Sequence, residues 1–138
     1  MGLGGKIKND RGTLLGLLLT ALFVVGCSSN PKIVTTTGEA PAGLSTADVK
    51  AAVFEGCDGR GWACKDLGNN TIEGSIWVRG KHFVKVNISV SQASFSIDYA
   101  DSENLEYDAE DNTIHKGYQS WVTNLSGDIM NALLRKAS

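Results

Sequence analysis

The chain has 138 residues, 42% of them hydrophobic and 20% charged, and a formal net charge of −2. Such a length supports one small domain once leader sequence is set aside. The slight acidity argues against nucleic acid, which requires a basic face, and there is no polybasic cluster to hold the chain on an anionic membrane.

Lys6, Lys8 and Arg11 precede an apolar run over residues 13–26 that stops at Val24, Val25, Gly26 and Cys27. A positive start, a short apolar stretch and a small residue before the cut describe a secretory signal. Its 14 residues fall short of the roughly 20 that cross a bilayer as a helix. The four residues ending at Cys27 resemble the lipobox of bacterial lipoproteins. The resemblance implies loss of residues 1–26, then a thioether-linked diacylglycerol and an amide-linked acyl chain such as palmitate on Cys27. Two or more chains give stable anchoring, each buried methylene contributing about 0.8 kcal/mol. By the same resemblance, Ser28 beside the cysteine implies the outer membrane, with the domain facing the periplasm.

Cleavage after residue 26 of 138 leaves 112 residues and removes three basic side chains and one acidic one, taking the net charge from −2 to −4. Asp98, Asp101, Glu103, Glu106, Asp108, Glu110 and Asp111 crowd into 14 residues. They lack the spacing of a calcium loop and read as a solvated segment. With Cys27 lipidated, Cys57 and Cys64 form an even pair in an oxidising compartment. Asp58-Gly59-Arg60-Gly61-Trp62-Ala63 between them allows a tight reversal. A disulfide is the favoured reading; two unpaired buried thiols are the other.

Residues 28–43 are rich in Ser, Thr, Gly, Pro and Ala and bury little apolar surface, so residues 27–43 read as the lipidated N-terminus and a flexible tether. The folded domain is then 44–138. Ser45 is a good N-cap, Asp48 completes a capping box, and Leu44 with Val49 has the spacing of a hydrophobic staple. Val49, Ala52, Val53 and Gly56 share a face of a helix that Gly59 and Gly61 end.

Four alternating segments follow. Trp62 and Cys64 lie on one face of a short strand before the turn Gly68-Asn69-Asn70. Ile72, Gly74, Ile76 and Val78 share one side of the next strand, with Thr71, Glu73, Ser75, Trp77 and Arg79 opposite. After Arg79-Gly80-Lys81, the inward set is Val84, Val86, Ile88 and Val90. After Ser91-Gln92 it is Ala93, Phe95, Ile97 and Tyr99. One apolar face per strand is the antiparallel pattern. Ile114, Tyr118, Trp121, Val122, Leu125, Ile129 and Leu133 then form a helical stripe, with Asn112 or Thr113 as candidate cap. The expected fold class is α+β: an antiparallel four-stranded meander with two helices packed on one face, in the order α-β-β-β-β-α.

The segment from Phe95 to Tyr107, followed by Ile114-His115 and Tyr118, Gln119 and Trp121, is the most distinctive in the domain. With Gly61-Trp62 and residues 74–79, it resembles a group of small bacterial lipoproteins that share Tyr-x-x-Ser-x-Asn-Leu-x-Tyr and Ile-His-x-x-Tyr-Asn-x-Trp. This chain departs from that pattern at Gln119 and in carrying Cys57 and Cys64. The resemblance implies fold and location but no activity.

Two places are candidates for function. In the crossover, Ser102, Asn104, His115 and Tyr118 either latch the loop to the last helix or line a small-ligand or hydrolase pocket centred on His115. On the uncovered sheet face, Trp77 and Arg79 are residue types found at binding hot spots. No His-Glu-x-x-His, Cys-x-x-Cys or Gly-x-Ser-x-Gly motif is present, and His82 and His115 stand 33 residues apart. The expected function is therefore a non-enzymatic, lipid-anchored interaction module contacting an envelope protein or peptidoglycan, with no cofactor or metal. Oligomeric state is not readable from these residues.

Overall fold

The computed structural model describes residues 29–138, so the leader 1–26 and Cys27 lie outside the described residues. The elements are β1 (Thr36–Glu39), α1 (Thr46–Arg60), β2 (Ala63–Gly68), β3 (Thr71–Val78), β4 (His82–Val90), β5 (Ser94–Glu103) and α2 (Gly117–Ala137). Among the described residues the fold is α+β: two helices and one antiparallel sheet of five strands ordered β1-β5-β4-β3-β2. Strands β2 to β5 are a meander, each paired to the next in sequence.

The fifth strand corrects the expected count of four. Thr36 to Glu39 pairs antiparallel with Ile97 to Ser94 at the edge of β5. Composition hides this strand because its inward positions are small: Gly38 lies over the Phe95 ring and Thr36 receives a hydrogen bond from Gln119 Nε2 (2.9 Å). Upstream, Ile33 N–H donates to Asn112 O (2.8 Å) and Ile114 N–H donates to Pro31 O (3.0 Å). The stretch expected as a free tether over 27–43 is thus held from Pro31 onward by backbone hydrogen bonds, which need no apolar side chains.

Helix α1 begins as its sequence requires. Asp48 N–H donates to Ser45 Oγ (3.1 Å) and Ser45 N–H donates to the Asp48 carboxylate (2.9 Å), the reciprocal capping box. The Ser45 backbone donor holds the Asp48 carboxyl below the usual carboxylate range. At the other end Gly61 takes the left-handed conformation (φ 78°), which suits a residue without Cβ, and its N–H returns to Asp58 O. Helix α2 starts at Gly117, not at the expected Asn112 or Thr113 cap. Asn112 has φ 56°, outside the helical region, and Thr113 is engaged in bridges to Lys32 and Asp108. Tyr118, Val122, Leu125, Ile129 and Leu133 then form the buried stripe, joined by Ala132.

Both tight hairpins use paired positive φ values, Asn69 and Asn70 in one and Arg79 and Gly80 in the other. This primed-turn signature matches the twist of the flanking strands. Lys85 pairs with Asp101 while Val86 pairs with Tyr99, so Ala100 is an extra residue in β5. Such a bulge shifts side-chain parity: Phe95, Ile97 and Tyr99 face the helices before it, and Ser102, opposite inward-facing Val84, faces them after it. The core is one cluster joining both helices to Ile72, Val84, Val86, Ile88, Val90, Phe95 and Ile97.

Cys57 and Cys64 are bonded, with Cα atoms 6.3 Å apart and seven residues of separation. In the chain-entropy view a loop this short still stabilises by about 2.5 kcal/mol. Replacing both cysteines with Ala should remove about 2–3 kcal/mol of stability in equilibrium urea unfolding, and added reductant should then have no further effect.

Helix α1 meets α2 at Gly56, where an added Cβ would lie 2.6 Å from Ile129 Cγ1 and 2.9 Å from its backbone nitrogen. Glycine to alanine in a helix normally stabilises by up to about 1 kcal/mol. Here Gly56→Ala should instead cost about 1–3 kcal/mol through overpacking. Gly127→Ala, in the same fold with nothing within 4 Å of the new Cβ, should gain roughly 0.5–1 kcal/mol. Paired urea curves that failed to separate the two variants would refute the close helix contact.

Candidate functional site

The corner between α1 and β2 decides where the sheet stops. Trp62 N–H donates to Cys57 O (3.0 Å) and its side chain enters the core, so ladder pairing of β2 with β3 runs only from Ala63–Ser75 toward the Asn turn. The β3–β4 ladder continues beyond that point to Val78–His82. Among the described residues, the last three residues of β3 are therefore flanked by β4 on one side and by no strand on the other. The space left is a groove of about 290 Å³ lined by Ile76, Trp77 and Val78, by Trp62 and Arg60, and by Trp121 and Asn124 of α2.

All three tryptophans of the chain border this groove. Trp62 and Trp121 supply aromatic walls. Trp77 is different: its ring is on the opposite sheet face, 52% exposed and 5.1 Å from Phe83 between centroids. Arg60 donates from Nε to Asp128 Oδ2 (2.8 Å), bracing the end of α1 against α2 while its side chain stays half exposed. A second depression of similar volume is lined by Gln119, Ser120, Thr123 and Asn124; it has no aromatic wall.

A histidine pair adjoins the groove. His82 and His115 stack at 6.3 Å and 18°, and His82 lies 5.9 Å from the Trp121 ring. His82 Nδ1–H donates to Asn104 O (2.9 Å), while His115 Nδ1 accepts from Gly117 N–H (3.0 Å). The neutral rings thus hold opposite tautomers: Nε2 is an acceptor on His82 and a donor on His115. The His115 bond also satisfies one of the first amides of α2, which no side chain of the residue preceding the helix caps. Among the described residues neither ring hydrogen-bonds a hydroxyl, thiol or carboxylate, and no three His, Cys, Asp or Glu side chains converge as a metal set.

The remaining candidates separate into two groups. Asn104, at φ 60°, donates from Nδ2 to Lys81 O (2.9 Å), so this one residue clamps the β3–β4 turn through both its side chain and its carbonyl. Arg79 sits in that turn. Ser102 Oγ and Tyr99 Oη share a 2.8 Å hydrogen bond, and Tyr99 stacks on Tyr107 at 4.5 Å. Tyr118, a candidate binding residue, is completely buried and meets Tyr99 edge-on at 5.7 Å, so it packs and does not face a ligand. Asp108 holds its own turn by accepting from the Glu110 and Asp111 amides. Among the described residues no helix is long and apolar enough to cross a membrane.

Read from sequence alone, Trp62 and Trp121 are core positions, and Arg60 and Asn124 carry no signal. His82 was within reach: it shares parity with Val84 and Val86 and so faces the helices. Its 33-residue distance from His115 concealed a pairing that the crossover makes. No family model, curated protein or solved structure matches the chain.

Among the described residues the buried Tyr118 hydroxyl has no hydrogen-bond partner, and burial pushes its pKa well above the usual tyrosine range. A raised pKa leaves its stabilisation intact below the unfolded value near 10 and withdraws it as pH rises toward the folded value. Tyr118→Phe should gain about 1 kcal/mol or more at neutral pH by deleting an unpaired buried polar atom. It should also retain more stability than the parent above pH ~10. Urea unfolding at pH 7 and in the alkaline limb checks both; a marked loss at pH 7 would show that the hydroxyl has a partner.

Proposed function

We propose that this chain is a bacterial lipoprotein, lipidated at Cys27 and held at the outer membrane, whose periplasmic domain works by contact and not by catalysis. The reading keeps the resemblance to small lipoproteins carried by Cys27 and by the Ser102-x-Asn104-Leu105-x-Tyr107 and Ile114-His115 segments. The observation that carries the contact surface is the groove walled by Trp62 and Trp121 at the open end of β3. Aromatic walls with a guanidinium and an amide at the rim are the ingredients of a recognition surface. The histidines, engaged with backbone groups, act in holding the crossover.

The anchor's geometry favours a membrane-proximal partner. With Cys27 as the attachment point, Ser28, Ser29 and Asn30 are the only residues before Pro31, which is pinned to Ile114. Fully extended, that path spans at most about 14 Å. His115, next in the chain, stacks on His82 beside Trp121, so the Pro31–Ile114 contact and the groove are linked within the folded domain through neighbouring side chains. The partner is an envelope protein or cell-wall polymer within reach of the lipid surface.

Two measurements test this. Cys27→Ala should move the protein from the membrane to the soluble fraction of the envelope. A photo-cross-linking residue at Asn124, in the groove, should capture a discrete envelope partner, while the same residue at exposed Leu134 should not. Equal capture at both positions, or at Leu134 alone, would remove the groove as the contact surface.

A further inference from the structure

The groove runs along the end of β3 that β2 does not pair. Lys81 N–H donates to Val78 O across the turn (3.1 Å), which directs the backbone groups of Val78 toward β4. Backbone groups in a strand alternate sides from one residue to the next, so the N–H and C=O of Trp77 point the other way. That is the side on which β2 has already ended at Ala63–Ser75. The groove accordingly touches Ile76, Trp77 and Val78 in succession, although the Trp77 ring packs against Phe83 on the far face. A surface that meets three consecutive strand residues meets the strand edge-on.

We propose that the groove receives an extended peptide segment of a partner protein, which adds to β3 where β2 stops. The proposal rests on the groove being the contact surface. One residue of the segment exchanges N–H and C=O hydrogen bonds with Trp77. By strand parity, that residue's side chain lies on the outer face near the Trp77 and Phe83 rings, and its two neighbours point to the helix side. There Trp62, Trp121 and Ile76 offer an apolar seat. Arg60 stands at the rim, and Arg79 and Lys81 follow Val78 in the turn, so acidic residues flanking the apolar pair complement the site. The favoured occupant alternates: acidic end, aliphatic, small polar, aliphatic, acidic end. Main-chain bonds supply affinity and the seated side chains supply selectivity, as in strand addition generally. A glycan would use the aromatic walls, but its hydroxyl and acetamido groups do not repeat with the N–H and C=O spacing of a strand that matches the Trp77 edge.

The test alters the ligand and leaves the protein intact. The detergent-solubilised full chain, labelled with nitrogen-15, is titrated with the blocked peptide Ac-Asp-Leu-Thr-Leu-Asp-NH2. It is titrated in parallel with the same peptide N-methylated at Thr, and with a β-1,4-linked N-acetylglucosamine tetrasaccharide. The first peptide should shift the Trp77 amide and the Trp62 and Trp121 indole N–H signals, and N-methylation should weaken binding about tenfold or more, the loss of one desolvated hydrogen bond. Equal binding of both peptides overturns strand addition, as does a response to the tetrasaccharide alone. In either case indole shifts leave the groove standing as a contact surface. If none of the three probes binds, the peptide mode fails, and cross-linking at Asn124 independently reports whether the groove is used.

Discussion

The corner from Cys57 to Cys64 is the constraint on which the rest of the molecule depends. Gly61 in the left-handed region ends α1, Trp62 donates back to Cys57, and the disulfide closes the reversal. Any slack at this corner would let β2 start earlier and cover β3 to its end. Instead the chain spends residues 61 and 62 turning and burying an indole, and β2 enters the ladder opposite Ser75, three residues short of Val78. The open strand end, the tryptophan walls and the position of Arg60 all follow from that late entry. Gly56 contributes from one turn earlier, because only a residue without Cβ lets Ile129 approach closely enough to set α1 beside α2.

What could be read from the residues was local chemistry with a strong period. The capping box at Ser45 and Asp48, the alternation of β3 and β4, the Asn69-Asn70 and Arg79-Gly80 turns and the stripe from Tyr118 to Leu133 each declare themselves within a few residues. What stayed hidden was set by partners distant in sequence. Strand β1 has almost no apolar content, because its inward residues Thr36 and Gly38 meet Gln119 and Phe95 and need no bulk of their own. The Ala100 bulge leaves no compositional trace, yet it reverses parity and turns Ser102 inward. The start of α2 is displaced because the residues suited to cap it are used in bridges to the N-terminal segment. The groove was illegible for the same reason: its lining comes from α1, β3, α2 and the corner residue Trp62, which are distant in sequence.

The N-terminal segment departs from the physical picture its composition suggests. A long Ser- and Thr-rich stretch ordinarily behaves as a flexible chain, and composition here points that way. Backbone hydrogen bonds from Ile33 to Asn112 and from Ile114 to Pro31, then four residues of β1, remove that freedom. Lys32 Nζ adds a bond to Asp111 O (2.8 Å). The acidic crossover is thereby tied to the strand that leads toward Cys27, and the segment that looked like a leash is structural.

The crossover and the groove are in turn one mechanical unit. Asn104 grips both Lys81 and His82, fixing the β3–β4 turn from the side opposite the groove. His82 stacks between His115 and Trp121, and His115 caps the first amide of α2, the helix that carries Trp121 and Asn124. These hydrogen bonds are exposed or half-buried and individually modest, but together with the ring contacts they oppose the two motions that would close the groove: the turn folding over the end of β3, and α2 sliding toward it. The histidines then need no reactive role to account for their placement. Their bonds hold two walls apart beside the end of β3 that β2 leaves uncovered, and a preorganised gap of that kind lowers the ordering cost a partner segment would otherwise meet.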